Sequence, residues 1–310
     1  MKLVSAFLQL IRWPNLLFIA LTQVLFYFCV FESLLLQPGA MPHSNRMFYL
    51  LVTASVCIAA AGYIINDYFD LQIDAVNKPG RIVIDRFIKR RWAIVWHWML
   101  SGIGIALGLY ISYKMGNWFI AIGNIASVIL LWFYSTHFKR KLLSGNIIIS
   151  ALTAWVILVV YLFCGASFKY WSDAPFVNER KLYKFTILYA GFAFMVSLIR
   201  EVIKDLEDMH GDAQYHCRTM PIAWGVPASK VFTAVWIVVA IAVLCIVQLY
   251  AWQSGWWWIV AYSVALVILP LAFILKKLSA AHSATDYHKL SSYVKAVMLA
   301  GILSMLFFIF

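Results

Sequence analysis

Apolar residues dominate the chain in long unbroken stretches, and polar residues collect in the short gaps between them. Stretches of about 17–25 apolar residues are the length a helix needs to cross a bilayer. Nine such stretches are legible, at 15–36, 46–66, 92–113, 117–135, 143–164, 182–200, 229–252, 255–275 and 292–310. In hydrocarbon a backbone must satisfy its own hydrogen bonds, so each stretch is expected to be helical. The gaps are too short to hold a separate soluble domain. The expectation is an all-α membrane protein of about nine transmembrane helices, with residues 1–310 forming a single integral-membrane domain. A shorter apolar segment, 3–11, precedes Arg12-Trp13-Pro14-Asn15 and is expected to lie in the membrane interface.

Composition agrees with this reading: 64% of the 310 residues are hydrophobic and only 12% are charged. A net charge of +12 would suit nucleic acid if it formed a patch, but here it is distributed by topology. With the N-terminus inside, 19 of the 25 Lys and Arg residues fall on the inner side and 6 on the outer. That is the positive-inside bias, so the N-terminus is expected in the cytoplasm and no nucleic-acid partner is implied. The five cysteines have no paired spacing, which supports neither a disulfide framework nor a zinc site. No cleavable signal or transit segment is recognised at the start, an expectation that favours a prokaryotic cytoplasmic membrane.

Against this apolar background the acids stand out. Eight of the 13 lie in two windows, 67–74 and 201–212. Asp67, Asp70 and Asp74 are spaced three and four apart, and Asp205, Asp208 and Asp212 repeat the spacing. Offsets of three and four put side chains on one face of a helix. Carboxylates beside apolar spans are costly to keep. Both windows follow spans expected to run from outside to inside, which puts both acidic faces on the cytoplasmic side.

Two opposed oxygen-rich faces would hold magnesium, a cation that keeps sites open for water and phosphate. Asn66, Asp67, Asp70 and Asp74 form the first candidate ligand set, with Asn66, Asp70 and Asp74 at successive steps of four. Asp205, Asp208 and Asp212 form the second. A solvated helix end is the alternative for the first window. A charged helix held by pairs such as Lys204 with Asp208 is the alternative for the second. Lys78, Arg81, Lys139, Lys204 and Arg218 flank the windows and are candidate contacts for a diphosphate, although each also serves as a topology signal. Tyr134, Asn146 and Asn15 are further candidates to line the substrate site. For Asn146, a helix cap or an interhelical hydrogen bond is an equal alternative.

Asn66-Asp67-x-x-Asp70-x-x-x-Asp74 with Asn77-Lys78-Pro79 and Arg81 resembles the first signature of the UbiA superfamily of intramembrane prenyltransferases, and Asp208-x-x-x-Asp212 resembles the second. Tyr134-Ser135 with Lys139, Gly145-Asn146, and Arg218-Thr219-x-Pro221 with Gly225 add to the likeness. The resemblance runs from Arg12 to the last span. Within the superfamily, the run Arg200-Glu201-x-x-Lys204-Asp205-x-Glu207-Asp208-x-x-Gly211-Asp212 looks closest to the digeranylgeranylglyceryl phosphate synthases. One departure stands out: Lys78 replaces an arginine, and Arg81-Ile82-Val83-Ile84-Asp85 lacks the family's prolines and Ser-Gly, so a reshaped loop is expected.

The resemblance implies a UbiA-like helical bundle and transfer of an isoprenyl group from an isoprenyl diphosphate to a lipophilic acceptor with Mg2+. Asp67, Asp70, Asp208 and Asp212 would be catalytic. The implied acceptor is geranylgeranylglyceryl phosphate. The alternatives are an aromatic acceptor of quinone or haem biosynthesis and, from another class, a cation-coupled transporter.

Overall fold

The computed structural model describes residues 2–35, 45–171 and 178–309, without the side chains of Lys2, Arg81 and residues 166–171. The described chain is helical. Its main elements are α1 (Lys2–Leu10), α2 (Trp13–Leu25), α3 (Asn45–Asn77), α4 (Arg90–Met115), α5 (Trp118–Thr136), α6 (Ser144–Trp171), α7 (Glu179–Gln214), α8 (Met220–Ala223), α9 (Gly225–Gln253), α10 (Trp257–Ser263), α11 (Leu269–Ala280) and α12 (Ala284–Leu303). Among the described residues nine helices are long and apolar enough to cross a membrane, and each expected stretch falls on one of them. Two spans contain a widened π-helical turn, at Phe26–Phe31 and Val264–Ile268.

Several helices run past the stretches that the hydropathy pattern marks. α7 continues to Gln214, so the second acidic window is helical rather than the start of a loop. It stops where His216 takes a left-handed conformation (φ 56°), and the Cys217 N–H returns to the Asp212 carbonyl at 3.0 Å. α3 continues to Asn77, where Pro79 prevents further helix. α12 starts at Ala284, eight residues before the expected stretch at 292. A reciprocal capping box sets that start, with Ser283 Oγ accepting from the Asp286 N–H and the Asp286 carboxylate accepting from the Ser283 N–H.

The chain divides into two compact units, Met1–Phe138 with Trp155–Leu188, and Lys139–Ala154 with Tyr189–Phe310. In the first unit α3 packs against α2, α4 and α5. Tyr27 stacks on Phe48 with ring centroids 4.0 Å apart, and both rings meet Phe163. α1 is the short apolar segment before Arg12; Ala6 and Leu10 are buried while Leu3, Val4 and Leu8 are exposed. Beneath α1 lie Val83, Ile84 and Ile88, packed with Ile64 and Ala93. Two of the residues that depart from the family's loop pattern, Val83 and Ile84, are therefore core residues here. In the second unit Val196, Ile199, Ile203 and Leu206 of α7 pack with Ile237 and Leu244 of α9, Leu271 and Ile274 of α11, and Leu290, Val294 and Val297 of α12.

Candidate active site

The first acidic window occupies the last turns of α3. Asn66 and Asp70 are one helical turn apart and both buried, Asp70 to 3% exposure. The Asn66 Nδ2 donates to Asp70 Oδ2 at 2.7 Å. The Asn66 Oδ1 is buried and has no hydrogen-bond partner. A buried polar atom left without a partner calls for an explanation. Here it is an uncommitted oxygen beside a carboxylate, the donor type that a hard divalent cation takes.

Asp67 faces a different neighbour. Arg12, between α1 and α2, is held in a left-handed conformation (φ 51°). Its Nη2 donates to Asp67 Oδ1 at 2.6 Å, and the guanidinium lies over the Tyr63 ring at 5.1 Å. Sequence reasoning read Arg12 as a topology signal and missed this role, because no local pattern links residues 55 positions apart. Asp74 is half-buried near the end of α3, and its carbonyl accepts from the Lys78 N–H at 2.8 Å. Asn15 and Tyr134 are half-buried in the same unit. The side chain of Arg81 lies outside the described residues.

The second window lies on α7. Asp212 is buried, and Asp205 and Asp208 are half-buried. The buried Asn146 near the start of α6 donates through Nδ2 to Asp205 Oδ2 at 2.8 Å. Of the roles open to Asn146, the interhelical hydrogen bond is the one observed. It fixes the second window to α6, as Asn66 steadies the first. Glu201, one turn above Asp205, accepts from Arg200 Nη1 at 3.1 Å and from Lys204 Nζ at 3.1 and 3.3 Å. Lys139 is half-buried, while Arg218 is exposed and ties its N–H to the Arg140 carbonyl at 2.8 Å. Lys139, Asn146, Lys204, the three aspartates and Arg218 thus belong to one unit.

Among the described residues no three His, Cys, Asp or Glu side chains are gathered into a metal cluster. Magnesium usually takes only one or two carboxylates and fills its shell with water and substrate phosphates, so an oxygen pair such as Asn66 and Asp70 fits it without a closed cage. His137 contacts Thr136 Oγ1 at 2.7 Å and His210 contacts Gln214 at 3.2 Å, both at exposed positions.

Comparison with known proteins gives one answer. A digeranylgeranylglyceryl phosphate synthase from Methanopyrus kandleri is 31% identical over 83% of this chain and 84% of its own. The enzyme of that name from Methanosphaera stadtmanae is 28% identical over 83% and 86%. Among solved structures, one from work on digeranylgeranylglyceryl phosphate synthase in membranes superposes with a TM-score of 0.61 at 24% identity, covering 99% of both chains. A UbiA homologue from Archaeoglobus fulgidus bound to DMAPP and Mg2+ superposes with a TM-score of 0.60 at 17% identity, over 96% of this chain and 99% of that one. At these identities the structural likeness speaks for the fold. The sequence profile of the UbiA prenyltransferase family matches residues 24–302, and the chain belongs to that family.

Proposed function

We propose that this protein transfers a geranylgeranyl group from its diphosphate to geranylgeranylglyceryl phosphate, forming a second ether on the glycerol, in a magnesium-dependent reaction. The acceptor rests on the relatives of that name. The reaction chemistry rests above all on one observation, the buried Asn66–Asp70 pair with its uncommitted amide oxygen. Bound at the acidic windows, magnesium would supply positive charge to a diphosphate as it leaves. Asn66, Asp67, Asp70, Asp208 and Asp212 are the proposed ligands, with Asp74 and Asp205 in support.

The chain's own groups do the remaining work. Lys78, Arg81, Lys139, Lys204 and Arg218 stabilise the outer diphosphate oxygens as the allylic C–O bond breaks. Asn146 holds Asp205 in place. Arg12 orients Asp67. The apolar spans bury the prenyl chains and keep water from the electron-poor allylic carbon. The acceptor hydroxyl then bonds to that carbon as the bond to the diphosphate breaks, and the hydroxyl proton leaves with the released diphosphate.

The test is incubation of purified protein with Mg2+, labelled geranylgeranyl diphosphate and geranylgeranylglyceryl phosphate. A doubly prenylated lipid that disappears with EDTA, and with Asp70→Ala or Asp208→Ala in folded protein, is the expected result. Near-wild-type transfer by both variants would overturn the metal-site assignment. Prenylation of a hydroxybenzoate or naphthoate instead would move the acceptor to quinone chemistry.

A further inference from the structure

α7 carries two charged faces. Asp205, Asp208 and Asp212 follow one face, while Glu207 is turned toward α12, where its carboxylate meets His288 Nδ1 at 3.0 Å. Further along, Tyr189 Oη and Ser304 Oγ are 2.9 Å apart, and Phe192 packs onto Gly301. These contacts define an antiparallel pair with a fixed register. Seven residues back from Glu207 is Arg200, and seven residues on from His288 is Lys295. Two turns along both helices, about 10 Å, Arg200 therefore comes level with Lys295.

Two cations drawn together where apolar spans begin are costly, and such residues mark function more often than structure. Glu201 does not fully account for Arg200. Glu201 accepts from Arg200 Nη1 and is shared with Lys204. Arg200 Nε is buried and has no hydrogen-bond partner. A guanidinium has five N–H donors in a fork suited to phosphate oxygens, and an ammonium adds a point charge that suits the same dianion.

We propose that Arg200 and Lys295 form the subsite for the phosphate monoester of the acceptor lipid, separate from the donor's diphosphate. This inference rests on the acceptor assigned above. Placement supports it. Arg200 lies five residues from Asp205 along α7, about 7.5 Å of axial rise. On the acceptor the reacting hydroxyl and the phosphate sit on neighbouring glycerol carbons, so a second anion site is needed near the first. An aromatic acceptor without phosphate would need no such pair.

The experiment measures steady-state transfer by full-length protein in nanodiscs with two acceptors, geranylgeranylglyceryl phosphate and its phosphate-free analogue geranylgeranylglycerol. For Lys295→Gln, KM for the phosphorylated acceptor should rise at least tenfold, KM for geranylgeranyl diphosphate should stay within twofold, and the preference over geranylgeranylglycerol should shrink by the same tenfold. Lys295→Arg should restore most of it. Unchanged acceptor KM, or equal losses with both acceptors, overturns the subsite while leaving the proposed function intact. A wild-type protein that does not turn over geranylgeranylglyceryl phosphate overturns the proposed function and this subsite with it. Repeating the assay in bilayers of phosphatidylcholine alone separates acceptor from bulk headgroup. A Lys295→Gln defect seen only when phosphatidylglycerol is present would assign the pair to membrane lipid and refute the proposal.

Discussion

Asn66→Leu is the most informative single substitution, because the side chain does two things at once. Its Nδ2 donates to a carboxylate that is 3% exposed, at 2.7 Å, and its Oδ1 is buried without a partner. Leucine keeps the volume and removes both functions. A hydrogen bond to a charged group is worth about 1.5–3 kcal/mol. Expressed as binding, that is roughly a 10- to 150-fold change. If the amide helps to hold the metal, the Mg2+ concentration giving half-maximal transfer should rise by that factor. Asn66→Asp should behave oppositely in part. It sets a second carboxylate beside Asp70, so the protein without metal should melt at a lower temperature, while added Mg2+ should raise its melting temperature more than it does for wild type. The assays are a magnesium titration of prenyl transfer and thermal unfolding in detergent with and without EDTA. An Asn66→Leu protein that melts normally and keeps a wild-type magnesium titration would refute the argument that this oxygen pair faces a cation.

Asn146→Leu removes the donor to Asp205 and should cost about 1.5–3 kcal/mol, read as a lower melting temperature in EDTA; an unchanged melting temperature would mean that the α6–α7 bond carries no weight. For Arg12 and Asp67, a partly exposed pair, a double-mutant cycle with Arg12→Met and Asp67→Asn should give a coupling of about 1 kcal/mol or less in unfolding, but a clear coupling in transfer rate. Additive effects on rate would remove Arg12 from the site. Two glycines of the first unit should respond with opposite sign. A Cβ at Gly123 would collide with the Trp155 ring, so Gly123→Ala should destabilise by about 1–3 kcal/mol. Nothing lies within 4 Å of a Cβ at Gly102, so Gly102→Ala should stabilise α4 by up to about 1 kcal/mol.

The spans were legible because bilayer thickness sets a length that apolar runs must match. The acidic windows were legible because a helix turns spacing into a shared face. Helix ends were less so: hydropathy falls at Arg200, yet α7 continues for 14 residues to Gln214. The early start of α12 carried a readable signal in Ser283-x-x-Asp286. Tertiary partners were not readable. Arg12 with Asp67 and Asn146 with Asp205 are joined across 55 and 59 residues. The loop at 82–88 had seemed only to lack family residues. Its Val83 and Ile84, where the family pattern has turn-forming residues, instead make buried contacts beneath α1 together with Ile88.

The partners also sort the acids, which the spacing alone could not. Asp67, Glu201 and Asp85 each meet a cation, from Arg12, from Arg200 with Lys204, and from Arg90. Asp70 and Asp205 each accept from a neutral amide, Asn66 at 2.7 Å and Asn146 at 2.8 Å. The distinction is physical. A carboxylate bonded to arginine has spent much of its field on that partner, whereas an amide stabilises the anion without cancelling its charge. Each acidic window contains an aspartate that accepts from a neutral amide, a partner that brings no positive charge to compete with a divalent cation. Asp205 therefore deserves a higher rank as a metal-facing group than its place at the edge of the second signature suggests. Asp67, oriented by Arg12, reaches a cation only in competition with that guanidinium. The ranking has a direct test. Asp205→Asn should shift the magnesium titration of transfer at least as far as Asp67→Asn does, and the reverse order would show that amide support does not decide which aspartates serve the metal.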